Sequence, residues 1–308
     1  MRSSKAVSTN KKYDVYFSKF KSWCVKNNMK YLPASVACVA IYLNGLVQQS
    51  VSVSVLLAHF YSIKWYHDFN LCENPCADKM MDLIIEGAKR ILGRPIAKKE
   101  PITPIHLQKI IDLYGADMDN LKNLRICAMF LIGFAGFLRY SEIANLKMCN
   151  ITNFDNYICL IIESSKTDVY RRGNCVNISK TSEQTCPVTW LLRYIKLAGL
   201  RFGSDEYVFR SVRFFKSKNV YKLVSVNKPL SYTRARELLI TCLTDIGLNS
   251  KLFGLHSLRS GGATAAAAGN VSDRLIKAHG RWRSDVSKDG YIKDSVSSQL
   301  SVSSNLGI

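Results

Sequence analysis

One break in the sequence, at residues 93–104, most constrains how this chain can fold. The segment GRPIAKKEPITP contains three prolines, one glycine and three basic residues, and its apolar residues follow no helical or strand period. Proline ends helices and is excluded from central strands because it has no N–H to donate. The break therefore predicts two folding units, one over residues 11–95 and one over residues 105–293, joined by a linker at residues 96–104.

The first unit has the apolar spacing of short helices. Tyr13, Phe17, Phe20 and Cys24 recur every three or four residues, which places them on one face of a helix. Further helices are predicted at residues 36–47, 50–69 and 75–92. The first unit is therefore expected to be a small domain of four helices, preceded by a flexible leader at residues 1–10.

The second unit mixes helices with a short sheet. The run YICLIIE at residues 157–163 predicts a strand, residues 174–178 predict its antiparallel partner, and the polar residues 164–168 form the turn between them. Helices are predicted at residues 107–114, 121–138, 187–200 and 231–246, with shorter ones over residues 254–292. The serine-rich residues 294–308 predict a mobile tail. The predicted fold class is mainly α (α+β), with a small antiparallel sheet in the second domain.

The charge of the chain indicates an anionic partner. Its 308 residues include 43 Lys and Arg against 23 Asp and Glu, a formal net charge of +20. Residues 1–100 carry 15 basic against 7 acidic residues, and residues 101–308 carry 28 against 16. A hydrophobic fraction of 47% excludes a disordered chain. Two basic lobes favour one long polyanion, with nucleic acid as the first candidate, although charge alone also fits an ordinary basic protein.

Membrane, secretion and metal sites are not indicated. No stretch of about 18 apolar residues lacks charge, and no apolar signal core follows the basic start of the chain. The ten cysteines are therefore expected to be free thiols in a reducing compartment. Cys72 and Cys76 lie nearest to each other in sequence, but their spacing is wider than CxxC and no second pair is near, so no zinc site is predicted.

Three motifs of the second unit contain residues that could do chemistry. In GFLRYSEIANL, residues 136–146, Arg139 and Glu142 would be neighbours on a helix, an arrangement that by itself favours a surface ion pair. In GLHSLRSGGAT, residues 254–264, one helical turn aims His256 and Arg259 at the same point, where a phosphate would suit them. The small residues that follow allow another backbone to come close.

The third motif is HGRWRSDVSKDGYI, residues 279–292. Trp282 and Tyr291 stand nine residues apart, a spacing that by itself favours a pair of core aromatic side chains. Each of the three motifs alone is weak.

Together, and in this order, the motifs resemble those of the tyrosine recombinase family, of the phage-integrase and Cre type. The family pattern is an arginine, a lysine in a β-turn, HxxR, a histidine or tryptophan, and a nucleophilic tyrosine nine residues later. The resemblance covers about residues 105–292, whereas residues 11–95 match only as a small helical domain of the SAM-like, core-DNA-binding kind. The phrase GRWRSD is most similar to recombinases of eukaryotic mobile elements of the DIRS and Crypton kind.

The resemblance implies a role for each matching residue. Arg139 and Arg259 would bind the non-bridging oxygens of the scissile phosphate, Lys166 would protonate the leaving 5′ oxygen, and Tyr291 would be the nucleophile. Because an unperturbed phenol has a pKa of about 10, attack at neutral pH needs the cationic groups nearby.

Other matching residues would support this chemistry. His256 would assist proton transfer or hydrogen bonding at the phosphate, and Trp282 occupies the histidine-or-tryptophan position, where it can donate only through its indole N–H. Glu142 would brace the first arginine, and His279 is a second candidate near the position of Trp282. Lys147 and Lys180 also lie near the predicted hairpin and stay open as alternatives to Lys166.

The resemblance also implies the reaction and the partners. Tyr291 would exchange a DNA phosphodiester for a 3′-phosphotyrosyl bond, a transesterification that needs neither metal, cofactor nor ATP, and no Walker motif is present. Expected partners are double-stranded DNA, held in a C-shaped clamp, and other protomers, with a dimer on each site and a tetrameric synapse. No membrane and no small-molecule substrate is expected. The expected location is intracellular, the nucleus in a eukaryote or the cytoplasm or nucleoid in a bacterial or viral setting.

Two alternatives stay open. A type IB topoisomerase shares the tyrosine and arginine chemistry, but His256 and the separate N-terminal domain argue against it. A domesticated DNA-binding protein without catalysis is the other alternative, against which the complete set of catalytic residue types argues.

Overall fold

The computed structural model of the chain describes residues 2–95, 97–163 and 173–307. They form a mostly helical protein with two small antiparallel sheets. The chain divides into two compact units, Met1–Ala97 and Lys98–Ile308. Within the described ranges, no helix is both long and apolar enough to cross a membrane.

The described residues of the first unit form four α-helices around one core. They are α1 (Val7–Lys26), α2 (Val36–Gln48), α3 (Val53–Phe69) and α4 (Lys79–Leu92). Ser35, Ser52 and Asp78 cap α2, α3 and α4 by accepting a hydrogen bond from a backbone N–H of the first turn. The core consists of fully buried side chains from all four helices, among them Phe20, Leu43, Leu56, Ile63 and Met81.

Two predicted boundaries of this unit differ from the structure. Helix α1 begins at Val7, so part of the predicted leader at residues 1–10 is helical. The fourth helix begins at Lys79, because Pro75–Ala77 form a separate 3-10 turn and Asp78 then caps α4. A proline therefore marks the right region but opens a different element.

The second unit is built around a buried helix. Its helices are α5 (Pro104–Tyr114), α6 (Leu121–Ala135), α7 (Tyr140–Ala144), α8 (Pro187–Ala198), α9 (Tyr232–Asp245), α10 (His256–Ala268), α11 (Asp273–His279), α12 (Asp285–Asp289) and α13 (Val296–Ser304). Helix α6 contacts α5, α8 and α10, and most of its residues are buried. A helix that is apolar on all sides belongs in the middle of a domain, which explains its position.

A three-stranded antiparallel sheet lies beside these helices. Strands β1 (Ile151–Asn153), β2 (Tyr157–Ile162) and β3 (Asn174–Ser179) are ordered β1-β2-β3, with Ile158 opposite Ile178 and Ile162 opposite Asn174. Ile158, Leu160 and Ile162 point to one face and are buried, as the strand period of two requires. The predicted β2–β3 pairing is therefore present, and β1 is an addition that sequence reasoning missed.

A second hairpin was also missed. Strands β4 (Val212–Phe215) and β5 (Val220–Leu223) pair antiparallel, although most of their side chains are exposed. Val212, Tyr221 and Leu223 are half-buried against the core. With so few buried positions and several lysines, the segment lacks the apolar alternation by which a strand is recognised.

Two further expectations are corrected. Cys159 on β2 and Cys175 on β3 form a disulfide, because the sheet brings their Cα atoms to 6.2 Å, so not all ten cysteines are free thiols. The serine-rich tail contains helix α13, whose first turn is capped by Ser295 accepting from the backbone N–H of Ser298. Serine is a poor interior helix residue but a good cap, which explains why composition alone gave the wrong expectation.

Candidate active site

The site begins where helix α6 ends. Gly136 ends the helix and Phe137 turns the chain with a positive φ of 45°, so the predicted helix over residues 121–138 stops at Ala135. Arg139 stands just before α7, and its guanidinium Nη1 donates to Oε1 of Glu142 at 2.9 Å. The backbone N–H of Arg139 donates to Oε2 of the same carboxylate at 2.8 Å. Both oxygens of Glu142 therefore hold Arg139 in place.

Burial sets this ion pair apart from a surface pair. The side chain of Glu142 is 0% exposed and that of Arg139 is 12% exposed. A carboxylate removed from water is stable only when charged donors surround it. The arrangement therefore fixes the direction of the Arg139 guanidinium.

Helix α10 supplies the second arginine. Arg259 is fully buried, and its guanidinium donates to the backbone carbonyls of Phe137 and, at 2.5 Å, of Gly280. The helix can come this close to the end of α6 because residue 262 is glycine, where a Cβ would lie 2.2 Å from the carbonyl oxygen of Phe134. The segment after α6 and the segment after α11 thus meet at Arg259.

The environment of Arg259 favours an anion. Burial, together with the nearby positive charge of Arg139, lowers the pKa of Arg259 to about 10. Both causes disfavour the charged guanidinium, and a bound anion beside the two arginines would offset both. A phosphate group, with several acceptor oxygens, matches the fork of guanidinium donors.

The aromatic residues of the third motif pack against Arg259. Its Cζ lies 4.3 Å from the ring centroid of Trp282 and 5.0 Å from that of Tyr291. The ring centroids of Trp282 and Tyr291 are 5.3 Å apart. Trp282 is buried and Tyr291 is half-buried, so the phenol stands at the edge of the cluster. Residue 280 must be glycine, since a Cβ there would lie 1.8 Å from the Trp282 ring.

His256 lies on the open side of the cluster. It is the first residue of α10, it is exposed, and its ring centroid is 6.4 Å from that of Tyr291. His256 and Tyr291 line one cavity of about 500 Å³. Lys98, Lys99 and Lys293 line it too, although Lys99 donates to the Lys251 carbonyl and Lys293 pairs with Glu100.

The sequence-predicted site residues thus divide into three groups. The structure brings together the residues of the three motifs: Arg139, Glu142, His256, Arg259, Trp282 and Tyr291. His279 instead bonds the carbonyl of Ala135 through Nε2 at 2.8 Å, and burial lowers its pKa. Lys166 lies outside the described residues.

The alternatives to Lys166 are described. Lys147 Nζ pairs with Asp205 at 3.1 Å, and this bond raises the pKa of Lys147. Lys180 is exposed at the end of β3, where its backbone N–H donates to the Asn156 carbonyl. An ammonium group already bound to a carboxylate is a poorer proton donor, so Lys147 is the weaker of the two alternatives.

One residue of the site was missed by sequence reasoning. Arg281 donates through Nη2 to Oε2 of Glu142 at 2.8 Å, and its side chain is only 5% exposed. In the sequence it stands between Gly280 and Trp282, two residues that pack tightly in the site. The signal in the sequence was a charged residue directly before Trp282, inside the third motif.

Several hydrogen-bond donors of the site are buried without a partner. The Nε atoms of Arg259 and Arg281 and the indole Nε1 of Trp282 are buried and have no hydrogen-bond partner among the described residues. No group of three or more His, Cys, Asp or Glu residues in the described ranges is arranged to hold a metal ion. The arrangement places a phenol beside fixed guanidinium groups.

Comparisons with known proteins show the family to which the chain belongs. The profile of the phage integrase family matches residues 104–297. The integrase/recombinase XerD homolog of Selenomonas ruminantium is 27% identical over 297 residues, which cover 95% of this chain and 83% of that protein.

Two solved structures are similar in fold. The XerH site-specific recombinase, in a post-cleavage complex with palindromic difH substrate, has a TM-score of 0.59 at 14% identity and covers 96% of this chain and 76% of its own. The Tn1549 transposon integrase, in complex with circular intermediate DNA, has a TM-score of 0.56 at 13% identity, with 89% and 86% covered.

Proposed function

The chain belongs to the phage integrase family of tyrosine recombinases, and we propose that it cleaves and rejoins double-stranded DNA at specific sites through a covalent bond to Tyr291. The observation that carries the proposal is the position of Arg259, whose Cζ lies 5.0 Å from the Tyr291 ring. A buried guanidinium beside a half-buried phenol can stabilise the negative charge that develops on a phosphate under attack by that phenol.

The two family arginines bind the phosphate in this proposal. Arg139 is directed by Glu142, and Arg259 by the carbonyls of Phe137 and Gly280. Donors that are already oriented stabilise the charge that develops on the non-bridging oxygens, because they need no reorganisation during the reaction. His256, exposed at the edge of the same cavity, interacts with the phosphate or takes the phenolic proton.

The reaction exchanges one ester for another. The Tyr291 oxygen forms a bond to phosphorus, the bond between phosphorus and the 5′ oxygen breaks, and the leaving 5′ oxygen gains a proton as the phenol loses one. The 3′-phosphotyrosyl bond is later attacked by the 5′ hydroxyl of a partner strand, which restores the phenol. Because one phosphodiester replaces another, no nucleotide hydrolysis is required.

We assign the proton for the leaving oxygen to Lys166. Its position in the sequence, between the residues of β2 and those of β3, matches the family's lysine, and Lys147 is a weaker candidate because it pairs with Asp205. Lys180, at the end of β3, is the second choice.

Double-stranded DNA is the proposed substrate and partner. The net charge of +20 is divided between both parts of the chain, so both are expected to contact phosphates. The XerH and Tn1549 structures are complexes with DNA, which supports the same partner here. Strand exchange joins two duplexes, so we further propose that protomers act together, two on each site and four in the synapse.

The biological role we propose is the integration or excision of a mobile element. The Tn1549 integrase belongs to a transposon, and the phrase GRWRSD favours an affinity with elements of the DIRS and Crypton kind. Such an enzyme works where the element's DNA is, in the nucleus of a eukaryote or the cytoplasm of a bacterium.

The proposal is tested by covalent trapping. The protein is incubated with a library of nicked duplexes of random sequence, denatured, and digested with protease. The attached strand is then sequenced and the linked peptide identified by mass spectrometry. The expected product joins a 3′ phosphate to Tyr291, and Tyr291→Phe should give none while it still binds DNA. Tyr232→Phe, a change at an exposed tyrosine on α9, is the matched control.

The same experiment separates the alternatives. DNA binding without any adduct would favour the alternative of a DNA-binding protein that has no catalytic activity. An adduct that leads to relaxation of supercoils, but never to exchange between two duplexes, would favour a topoisomerase. An adduct that persists in Tyr291→Phe would reject Tyr291 as nucleophile.

A further inference from the structure

We infer that Arg281 is a positioning residue of this active site: its buried guanidinium holds Glu142, and through it Arg139, in the orientation that the phosphate requires. The inference rests on the proposed function, because it assigns Arg281 to the cleavage step of that reaction. The three sequence motifs gave Arg281 no role.

The contacts of Arg281 join three segments of the chain. Nη2 donates to Oε2 of Glu142 at 2.8 Å, and Nη1 donates to the carbonyl of His279 at 3.1 Å. Longer contacts reach the carbonyls of Gly136 and Phe137 at 3.4 and 3.3 Å. One side chain therefore connects the end of α6, the start of α7 and the turn before Trp282.

The carboxylate of Glu142 is shared between two arginines. Oε1 accepts from the Arg139 guanidinium, and Oε2 accepts from the Arg139 backbone N–H and from Arg281. Without Arg281, Oε2 would lose its only charged donor in the described part of the chain and Glu142 could rotate. Since Glu142 directs Arg139, a rotation would misplace the guanidinium that meets the phosphate.

The backbone at Arg281 is also unusual. Its φ is +56°, in the left-handed region that favours glycine. A non-glycine residue there is maintained when its side chain makes contacts that offset the strain. The contacts with Glu142 and the carbonyls provide that compensation, and the turn delivers Trp282 and the segment leading to Tyr291.

Arg281 also couples the two family arginines. The Phe137 carbonyl accepts from Arg259 as well as from Arg281, so the same backbone oxygen contacts both. Burial lowers the pKa of Arg281, and Glu142 opposes that effect, as expected for a cation that is retained for a structural partner. Its loss should therefore slow the chemical step more than it weakens DNA binding.

Three variants test the inference on a nicked suicide duplex. Arg281→Gly removes the side chain and accepts the positive φ, Arg281→Lys keeps the charge without the planar fork, and Arg274→Ala changes an exposed arginine of α11 as a control. The measured quantities are the single-turnover rate of adduct formation at saturating DNA, the Kd for the same duplex by anisotropy, and the thermal midpoint of each protein.

The expected result separates rate from affinity. Arg281→Gly should lower the adduct rate about 100-fold, Arg281→Lys about 10-fold, and Arg274→Ala by less than about threefold, with Kd within about threefold throughout. Added methylguanidinium should restore part of the rate of Arg281→Gly. A double-mutant cycle with Glu142→Gln should give a loss smaller than the product of the single losses, because both changes break the same link.

Two results would overturn the inference. One is an adduct rate within about threefold of the parent chain for both Arg281 variants. The other is a loss in Arg281→Gly that multiplies fully with that of Glu142→Gln, which would indicate independent roles. If the parent chain itself forms no adduct, the proposed function fails instead, so the two failures are distinct. Should Arg281→Gly not fold, the Arg281→Lys variant gives the same comparison.

Discussion

Two arginine–glutamate pairs in the second unit have the same spacing and nearly the same length but different surroundings. Arg139 and Glu142 are 2.9 Å apart, and Arg234 and Glu237 on α9 are 3.0 Å apart, and in both pairs the glutamate follows the arginine by three positions in the sequence. The first pair has side-chain exposures of 12% and 0%, whereas the second has 53% and 52%. The spacing therefore explains why both ion pairs form. The difference between them is burial, which separates the Arg139–Glu142 pair from an ordinary surface pair.

The two pairs differ in how much each charged residue depends on the other member of its pair. An exposed pair gains little, because water solvates either charge when the other is removed. A buried pair that loses one member leaves an uncompensated charge in a low-dielectric site. Arg139 and Glu142 should therefore respond far more strongly to substitution than Arg234 and Glu237.

The largest difference is expected in stability. Glu142→Ala should reduce the free energy of unfolding by about 3–5 kcal/mol, since Arg139 and Arg281 lose the fully buried carboxylate that they share. Glu237→Ala should cost no more than about 1 kcal/mol. Urea unfolding followed by circular dichroism measures both. Equal losses would mean that burial does not separate the pairs, and Glu142→Gln provides a second variant if the alanine variant is too unstable.

The next difference is expected in chemistry. Glu142→Gln should slow phosphotyrosyl formation about 100-fold at saturating DNA, because Arg139 is no longer held by two charged contacts. Glu237→Gln should change the rate by less than about threefold. Quenched single-turnover reactions on a nicked duplex measure these rates. Similar rates for the two variants would contradict the proposed role of Glu142.

The pH dependence should also differ near the buried pair. Burial lowers the pKa of His279, which bonds the Ala135 carbonyl, so the unfolded chain takes up its proton at a higher pH than the folded chain. Its contribution to stability is therefore complete above the unfolded pKa of about 6.5 and declines as the pH falls below that value. His279→Gln should reduce the loss of stability between about pH 7.5 and pH 5.

The other histidines do not affect this comparison of pH slopes. Burial also lowers the pKa of His59, His67 and His106, but these contribute equally to the parent chain and the variant. Glu237→Gln, at the exposed pair, should keep the parent's pH slope. An unchanged slope in His279→Gln would show that His279 does not stay neutral in the folded state.

The smallest difference is expected in how the stability of the two pairs depends on salt concentration. The loss of unfolding free energy caused by Glu237→Ala should shrink toward zero between about 0.05 and 1 M NaCl, because exposed charges are screened over a few ångströms at the higher concentration. The loss caused by Glu142→Ala should change little. Repeating the urea series at both salt concentrations measures the two trends, and parallel trends would argue against different burial.

Most regular elements could be predicted from local pattern. The helices around residues 36–48, 53–69, 187–198 and 232–245, and the pairing of β2 with β3, follow from apolar periods and caps that neighbouring residues define. The sequence motifs likewise identified Arg139, Glu142, His256, Arg259, Trp282 and Tyr291, which the structure brings together. Local interactions explain why these elements could be predicted, and a family resemblance explains why these residues were selected; their roles stay predictions.

The errors share a physical cause. Hairpin β4–β5 has few buried side chains and strand β1 is only three residues long, so neither shows the apolar alternation that identifies a strand, and the Cys159–Cys175 bond depends on the register of two strands. Helix α13 depends on one cap in a segment whose composition disfavours helix. Local propensity is too weak to decide any of these elements without tertiary contacts.

The sequence by itself determined which residue types were available: two family arginines, a histidine, a tryptophan and a tyrosine in a fixed order, on a chain with a net charge of +20. Only the tertiary structure decided which charges are buried and which carbonyls and carboxylates hold them, and so it showed how the Arg139–Glu142 pair differs from the Arg234–Glu237 pair and revealed the contacts of Arg281. The physical reason is that the energetic contribution of a charge depends on its desolvation and on its neighbours. Both are set by segments that lie more than a hundred residues apart in the chain.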